Sequence, residues 1–332
     1  MRRALPWWLA TALVLVTSLS RAQDPPPTDD PASPPAAEGV RLAYRWVRGQ
    51  QMRVGINFTG DVTVSTPTPQ AGLPPAIPLT LRVTGTGVLR VAGVTANGVA
   101  TLVYQPSSAR ITVEVLGTEF GVRLSQGKVS ASINGESTPL GRQFNTGLPG
   151  FEPEELKRPT TVRVDRQGRT VARPTANQRA RRLAAAGTDD AAEWTVPLPV
   201  EPVQVGDRWE VTRVENYPVE DETVPGRTVI EKMDYRGEFT LREVIERNGR
   251  KIAVIDGEET YVPNEASAAL ELPHMAARST YYFDLARGML RSVTTEFNIS
   301  GTEVVPADRD TRGGRVSVDA TIRGTVSMTP IS

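Results

Sequence analysis

The stretch Val316-Ser317-Val318-Asp319-Ala320-Thr321-Ile322-Arg323-Gly324-Thr325-Val326-Ser327-Met328 holds one phase over thirteen positions: apolar or small residues alternate with polar ones, and only Gly324 interrupts the apolar series. A period of two places alternate side chains on opposite faces of a strand. Most strands run five or six residues, so one this long predicts a tall, curved sheet.

Working outward, the same period recurs along the chain. Val40, Leu42, Tyr44 and Trp46 alternate with polar or small residues, as do Met52, Val54, Ile56, Phe58, Val62 and Val64. Leu79, Leu81, Val83, Leu89 and Val91 follow, with Gly85 and Gly87 in their phase, which signals a bend, a bulge or a close approach by another backbone. Asn97-Gly98 is a hairpin signal leading into Val99–Tyr104. Runs at 111–115, 120–124 and 129–133 complete a meander, with a turn at Gln126-Gly127. A hairpin is expected over Thr161–Val164 and Thr170–Ala172, and a short helix over Ala176–Ala186, ending at Gly187. Thr188 to Pro202 reads as a linker. The β pattern then resumes through Trp209, Met233, Tyr235, Phe239, Leu241, Ile252 and Val254, and continues over 281–285 and 290–299. The fold class predicted is mainly β: antiparallel meandering strands in a curved sheet, half-barrel or sandwich, in two related lobes.

The beginning of the chain carries an address. Arg2-Arg3, the apolar stretch Ala4–Leu19 and Ser20-Arg21-Ala22 form the three-part pattern of a secretory signal peptide over residues 1–22. Residues 23–39, QDPPPTDDPASPPAAEG, contain no aliphatic residue larger than alanine and read as a proline-rich tether. The boundaries expected after it are an N-terminal β lobe over 40–172, the helix and linker over 173–202, and a C-terminal β lobe over 203–332.

The chain contains no cysteine. Disulfide staples, thiol nucleophiles, zinc ribbons, iron–sulfur clusters and an acylated N-terminal cysteine are therefore excluded. Lys plus Arg and Asp plus Glu each number 38, and removing Arg2, Arg3 and Arg21 leaves 35 against 38. That balance points to neither nucleic acid nor an anionic membrane as partner. The expectation is a periplasmic or extracellular protein with no stable membrane anchor once the signal is cleaved.

The two halves share local patterns. Gly49-Gln50-Gln51-Met52-Arg53-Val54 matches Gly206-Asp207-Arg208-Trp209-Glu210-Val211, Asn97-Gly98 matches Asn248-Gly249, and Leu124–Gly127 matches Leu285–Gly288. The order of Leu42-x-Tyr44-x-Trp46, the 161–171 hairpin, Val203-x-Val205-Gly206-Asp207-x-Trp209 and Tyr282-Phe283-Asp284-Leu285-Ala286-Arg287-Gly288 resembles an uncharacterised family of secreted or surface bacterial β-rich proteins, a domain of unknown function. The resemblance implies export and a β-rich fold and carries no activity with it. Many members have a lipoprotein cysteine, which this chain lacks.

Catalytic constellations are few. His274 is the one histidine, with no G-x-S-x-G elbow to accompany it, so no Ser-His-Asp triad or histidine metal cluster is expected. Glu220-Asp221-Glu222 offers acids, but neighbours in an extended chain point apart, whereas glycoside hydrolysis needs two carboxyls facing across a cleft. Asp308 and Asp310 are interleaved with arginines and lack the terminal glutamate of a calcium loop. No catalytic residue, metal or cofactor is assigned. The candidate ligand-binding residues are the aromatics Tyr44, Trp46, Trp209 and Tyr235. The reading these features favour is a non-enzymatic exported envelope protein that binds a hydrophobic, lipid-like ligand or an envelope partner protein in an apolar concavity. A carboxylate-dependent hydrolase of envelope or extracellular polymers and a structural or adhesive module are the alternatives.

Overall fold

Alternation becomes pairing first where the chain's two longest one-faced patterns meet. The computed structural model describes residues 39–65, 75–138, 159–172, 195–220, 228–263, 274–305 and 314–331. The segments 1–22, most of 23–39, the 176–186 helix and the Asp308/Asp310 loop lie outside them. Among the described residues the structure is strand, turn and loop, with no helix.

The strands are β1 (Gln51–Ser65), β2 (Ala76–Val94), β3 (Ala100–Val115), β4 (Thr118–Ser125), β5 (Lys128–Ile133), β6 (Glu136–Thr138), β7 (Thr160–Val164), β8 (Thr170–Ala172), β9 (Arg208–Glu220), β10 (Thr228–Arg247), β11 (Arg250–Pro263), β12 (His274–Asp284), β13 (Met289–Val305) and β14 (Gly314–Pro330). They form one fourteen-stranded antiparallel sheet in the order β6-β5-β4-β3-β2-β1-β14-β13-β12-β11-β10-β9, with β7 paired to β3 and β8 to β7. Two meanders, β1 to β6 and β9 to β14, are joined where β14 pairs β1 over fourteen consecutive positions, from Met52↔Pro330 to Ser65↔Ser317. The path ends at β6 and β9, so the sheet curves without closing into a barrel.

Bulges supply curvature on both sides of that regular seam. The register slips at Ala92 and Ser107 between β2 and β3, at Arg242 between β10 and β11, and at Arg291 between β12 and β13. A bulged strand bends and twists more strongly. The slips at Ser107, Arg242 and Arg291 also move the apolar series to the other parity. In β3 the buried residues are Ala100 and Leu102 before Ser107, then Ile111, Val113 and Val115 after it. The sequence therefore reads as two strands where there is one, and Pro106, without an N–H for the ladder, sits at the change.

Turn chemistry is as the dipeptides predict. Asn248-Gly249 and Gln126-Gly127 both have positive φ at the two central positions, 53° and 68°, and 51° and 70°. That is the hairpin turn that matches strand twist. The two halves also open on matching bonds. Gly49 N–H donates to the Val91 carbonyl and Val91 N–H to that of Gln50; Gly206 and Leu241 repeat this with Leu241 and Asp207. In each turn a side-chain oxygen, Gln50 Oε1 or Asp207 Oδ2, accepts the N–H of the residue three before it.

Inside the curve, aromatic rings lie against glycines of neighbouring strands. Gly324 faces Phe58 across β14 and β1, and Gly257 faces Phe239 across β11 and β10. A Cβ on Gly257 would sit 2.9 Å from the Phe239 ring, and one on Gly324 would enter the Phe58 ring. The break at Gly324 in the last strand is thus the space that a phenyl ring occupies. Gly324→Ala is expected to lower stability by about 1–3 kcal/mol through overpacking, seen as a lower urea midpoint. Adding Phe58→Leu should recover part of that loss, and full additivity would contradict this account.

Candidate functional site

The sheet's two faces differ in chemistry from residue to residue. In β1 Met52, Val54, Phe58, Val62 and Val64 are buried while Arg53, Asn57, Thr59, Asp61 and Thr63 are exposed. The outer face carries cross-strand charge pairs: Arg323–Glu296 at 2.7 Å, Arg236–Glu210 at 2.7 Å, Arg242–Asp256 at 3.1 Å and Arg278–Glu258 at 3.4 Å. Solvent screens such pairs and leaves them little net stabilisation, but they mark the face as water-facing. A membrane-spanning barrel has the opposite arrangement, an apolar band outside and polar groups within. The candidate site is therefore the inner, apolar trough.

One end of the trough is plugged by two extended segments, 40–46 and 195–203. Val40 and Val203 bridge each other, Tyr44 N–H donates to the Arg166 carbonyl, Arg45 N–H to that of Gly288, and Leu198 N–H to that of Gln167. Val196 and Leu198 are buried. The stretch read as linker therefore contributes to the core: Thr195 through Leu198 are all buried, while the prolines keep the segment out of a ladder.

Three of the four aromatics picked from the sequence build or hold this plug: Tyr44 and Trp46 belong to it, and Trp209 bonds to it. Tyr44 is buried, stacked on Trp46 at 4.7 Å and edge-on to Phe283 at 5.2 Å. Its hydroxyl accepts the Val196 N–H at 2.7 Å. Trp46 Nε1–H donates to the Asp165 carbonyl, and Trp209 Nε1–H donates to that of Pro197 at 2.9 Å while its ring stacks on Phe239. Burial pushes the Tyr44 phenol far above its usual value, with the Tyr281 phenol adding to the shift.

Tyr235 belongs elsewhere, to a buried polar cluster on the inner face. Glu259 is 2% exposed. It accepts hydrogen bonds from Tyr235 Oη at 2.9 Å, Tyr281 Oη at 2.8 Å and Ser279 Oγ at 3.3 Å. The Arg213 guanidinium lies 4.0 Å over the Tyr235 ring, and Tyr261 meets that ring edge-on. A buried carboxylate is tolerated when hydroxyl donors replace water. Sequence reading missed Glu259 because Ile252, Ala253, Val254 and Ile255 are all buried, which hides the phase of β11. The odd series Gly257, Glu259, Tyr261 was the available signal. His274 opens β12 in an exposed position, and Glu220 ends β9, while Asp221 and Glu222 lie outside the described residues.

Tyr44 supplies a test of the plug. Tyr44→Phe leaves the buried Val196 N–H without its acceptor, an expected loss of about 1–3 kcal/mol at neutral pH. Because the folded phenol holds its proton longer than the unfolded one, its contribution is complete below pH about 10 and declines as pH rises beyond it. Urea midpoints measured from pH 8 to 11 should fall less steeply above pH 10 in the variant. An equal slope would show that Tyr44 ionises freely in the folded state.

No protein-family model matches the chain, and no curated protein matches it. Among solved structures, lipovitellin, described for its lipid–protein interactions, aligns with 87% of this chain at 12% identity and a TM-score of 0.36. The chain spans only 26% of that protein's length. An outer-membrane channel from Pseudomonas putida F1 aligns with 86% of this chain and 97% of its own at 11% identity and a TM-score of 0.24. OccK7 of Pseudomonas aeruginosa aligns with 86% of this chain and 100% of its own at 9% identity and a TM-score of 0.21.

Proposed function

We propose that this chain is an exported, non-enzymatic protein that holds a hydrophobic, lipid-like ligand against the inner face of its curved sheet. The observation that carries the reading is the sidedness. One continuous cluster of buried apolar side chains runs from β3 through β1 and β14 to β10, and the sheet curves around it. Sheets with one apolar face must cover it, and a curved one can do so around a guest. The plug supports the reading further by closing one end. Beyond it Val62, Val64, Ile77, Leu79, Met275 and Ile299 keep the inner face apolar toward the other end of the strands. Export rests on the pattern of residues 1–22.

Protein purified from its native host compartment should release a lipid-like molecule into organic solvent, identified by mass spectrometry. After delipidation it should take up an apolar fluorophore with saturable enhancement. A delipidated protein with no saturable uptake would refute ligand binding. N-terminal sequencing of the exported protein should begin at Gln23, and an uncleaved N-terminus would refute the signal-peptide assignment.

A further inference from the structure

One row of the inner face has two middle members, Ser279 and Thr295, that packing does not account for. Register pairs run Phe239↔Gly257↔Ser279↔Thr295↔Gly324↔Phe58 across β10, β11, β12, β13, β14 and β1. The rows on either side contain Ala277, Phe297 and Ile322, and Tyr281, Val293 and Val326, all buried. Between the two phenyl rings the row is therefore small and polar within an apolar surface.

Thr295 is the residue that asks for a ligand. Its side chain is 1% exposed and its Oγ1 has no hydrogen-bond partner. Valine has nearly the same shape and suits a buried strand position without leaving a hydroxyl desolvated. Ser279, directly opposite, donates to Glu259 at 3.3 Å and keeps its oxygen lone pairs as acceptors. The two hydroxyls thus offer a donor and acceptors side by side on the trough floor.

We propose that Thr295 and Ser279 seat the neutral hydroxyl head of an amphiphile whose chain lies along the apolar trough. This rests on the ligand-binding reading above and specifies its head group. The charge at hand selects against acids. Glu259 stands on β11, two strands from Thr295, whereas the Arg213 guanidinium lies over the Tyr235 ring on β10, three strands away. The carboxylate is the nearer charge, so an anionic head is disfavoured there.

The test uses the full mature chain, diphenylhexatriene as a probe without hydrogen-bonding groups, and dodecanol and dodecanoate as competitors of equal chain length. In the wild type, dodecanol should displace the probe at lower concentration than dodecanoate. Thr295→Val should take up the probe as before yet bind dodecanol about fivefold more weakly, the size of one neutral hydrogen bond. Thr295→Ser, which keeps the hydroxyl, should retain wild-type dodecanol binding. Normal probe uptake with dodecanol affinity unchanged in Thr295→Val, or a wild-type preference for dodecanoate, would overturn the head-group assignment while leaving the trough as a binding site. Absence of saturable probe uptake by the wild type would overturn both.

Discussion

The pairing of β1 with β14 is the constraint on which the remainder depends. It brings together residues near opposite ends of the folded chain and holds them in fourteen unslipped pairs. Without it each meander would end in a long exposed edge, open to pairing with other chains. With it, Met52, Val54, Phe58, Val62 and Val64 meet Met328, Val326, Ile322, Ala320 and Val318 on one face, and the apolar surface runs unbroken from one half to the other. Such non-local pairing is slow to form, because loop closure must precede the contacts that reward it. The matching turns at Gly49-Gln50 and Gly206-Asp207 reduce that difficulty, since each fixes the start of its meander through bonds to the very next strand.

Given a regular seam, curvature must come from its flanks. Bulges at Ala92, Ser107, Arg242 and Arg291 bend the strands on either side. The concave side is crowded, and glycine opposite phenylalanine at Gly324 and Gly257 is how large side chains fit there. Outside, opposed charges such as Arg323 and Glu296 sit on directly paired residues and keep the convex face in water.

This physical logic also explains which features the sequence displays. Unslipped strands were legible: β1 and β14 keep their parity for their whole length, and two-residue turns such as Asn248-Gly249 are marked by residues that accept positive φ. Bulged strands were not, because one extra residue reverses parity, so β3 reads as two strands and β11 loses its phase beside the Arg242 slip. The plug was hidden for another reason. Val196 and Leu198 alternate with Pro197 and Pro199, and nothing local distinguishes a proline-punctuated linker from one lashed down by Tyr44, Gln167 and Trp209. Of the candidate site, the aromatics stood out by size, whereas Glu259, Ser279 and Thr295 become conspicuous only when register places them on an apolar floor.

The recognisable motifs and the proposed site accordingly occupy different places. In Val203-x-Val205-Gly206-Asp207-x-Trp209, Val203 bridges Val40, Gly206 and Asp207 bond to Leu241, and Trp209 donates to Pro197. In the Tyr282–Gly288 motif, Asp284 is fully buried, accepts the Arg287 N–H and lies 3.6 Å from Arg250, while the Gly288 carbonyl receives Arg45 N–H. These groups are engaged mainly in holding the plugged end together, with Asp284 Oδ2 left only its 3.6 Å approach to Arg250. On the proposed reading, recognition falls to mid-strand positions, where alternation alone sets the face and a single threonine stands in place of valine. The proposal therefore stands on Ser279, Thr295 and Glu259, whereas the motif residues named above bond within the plugged end.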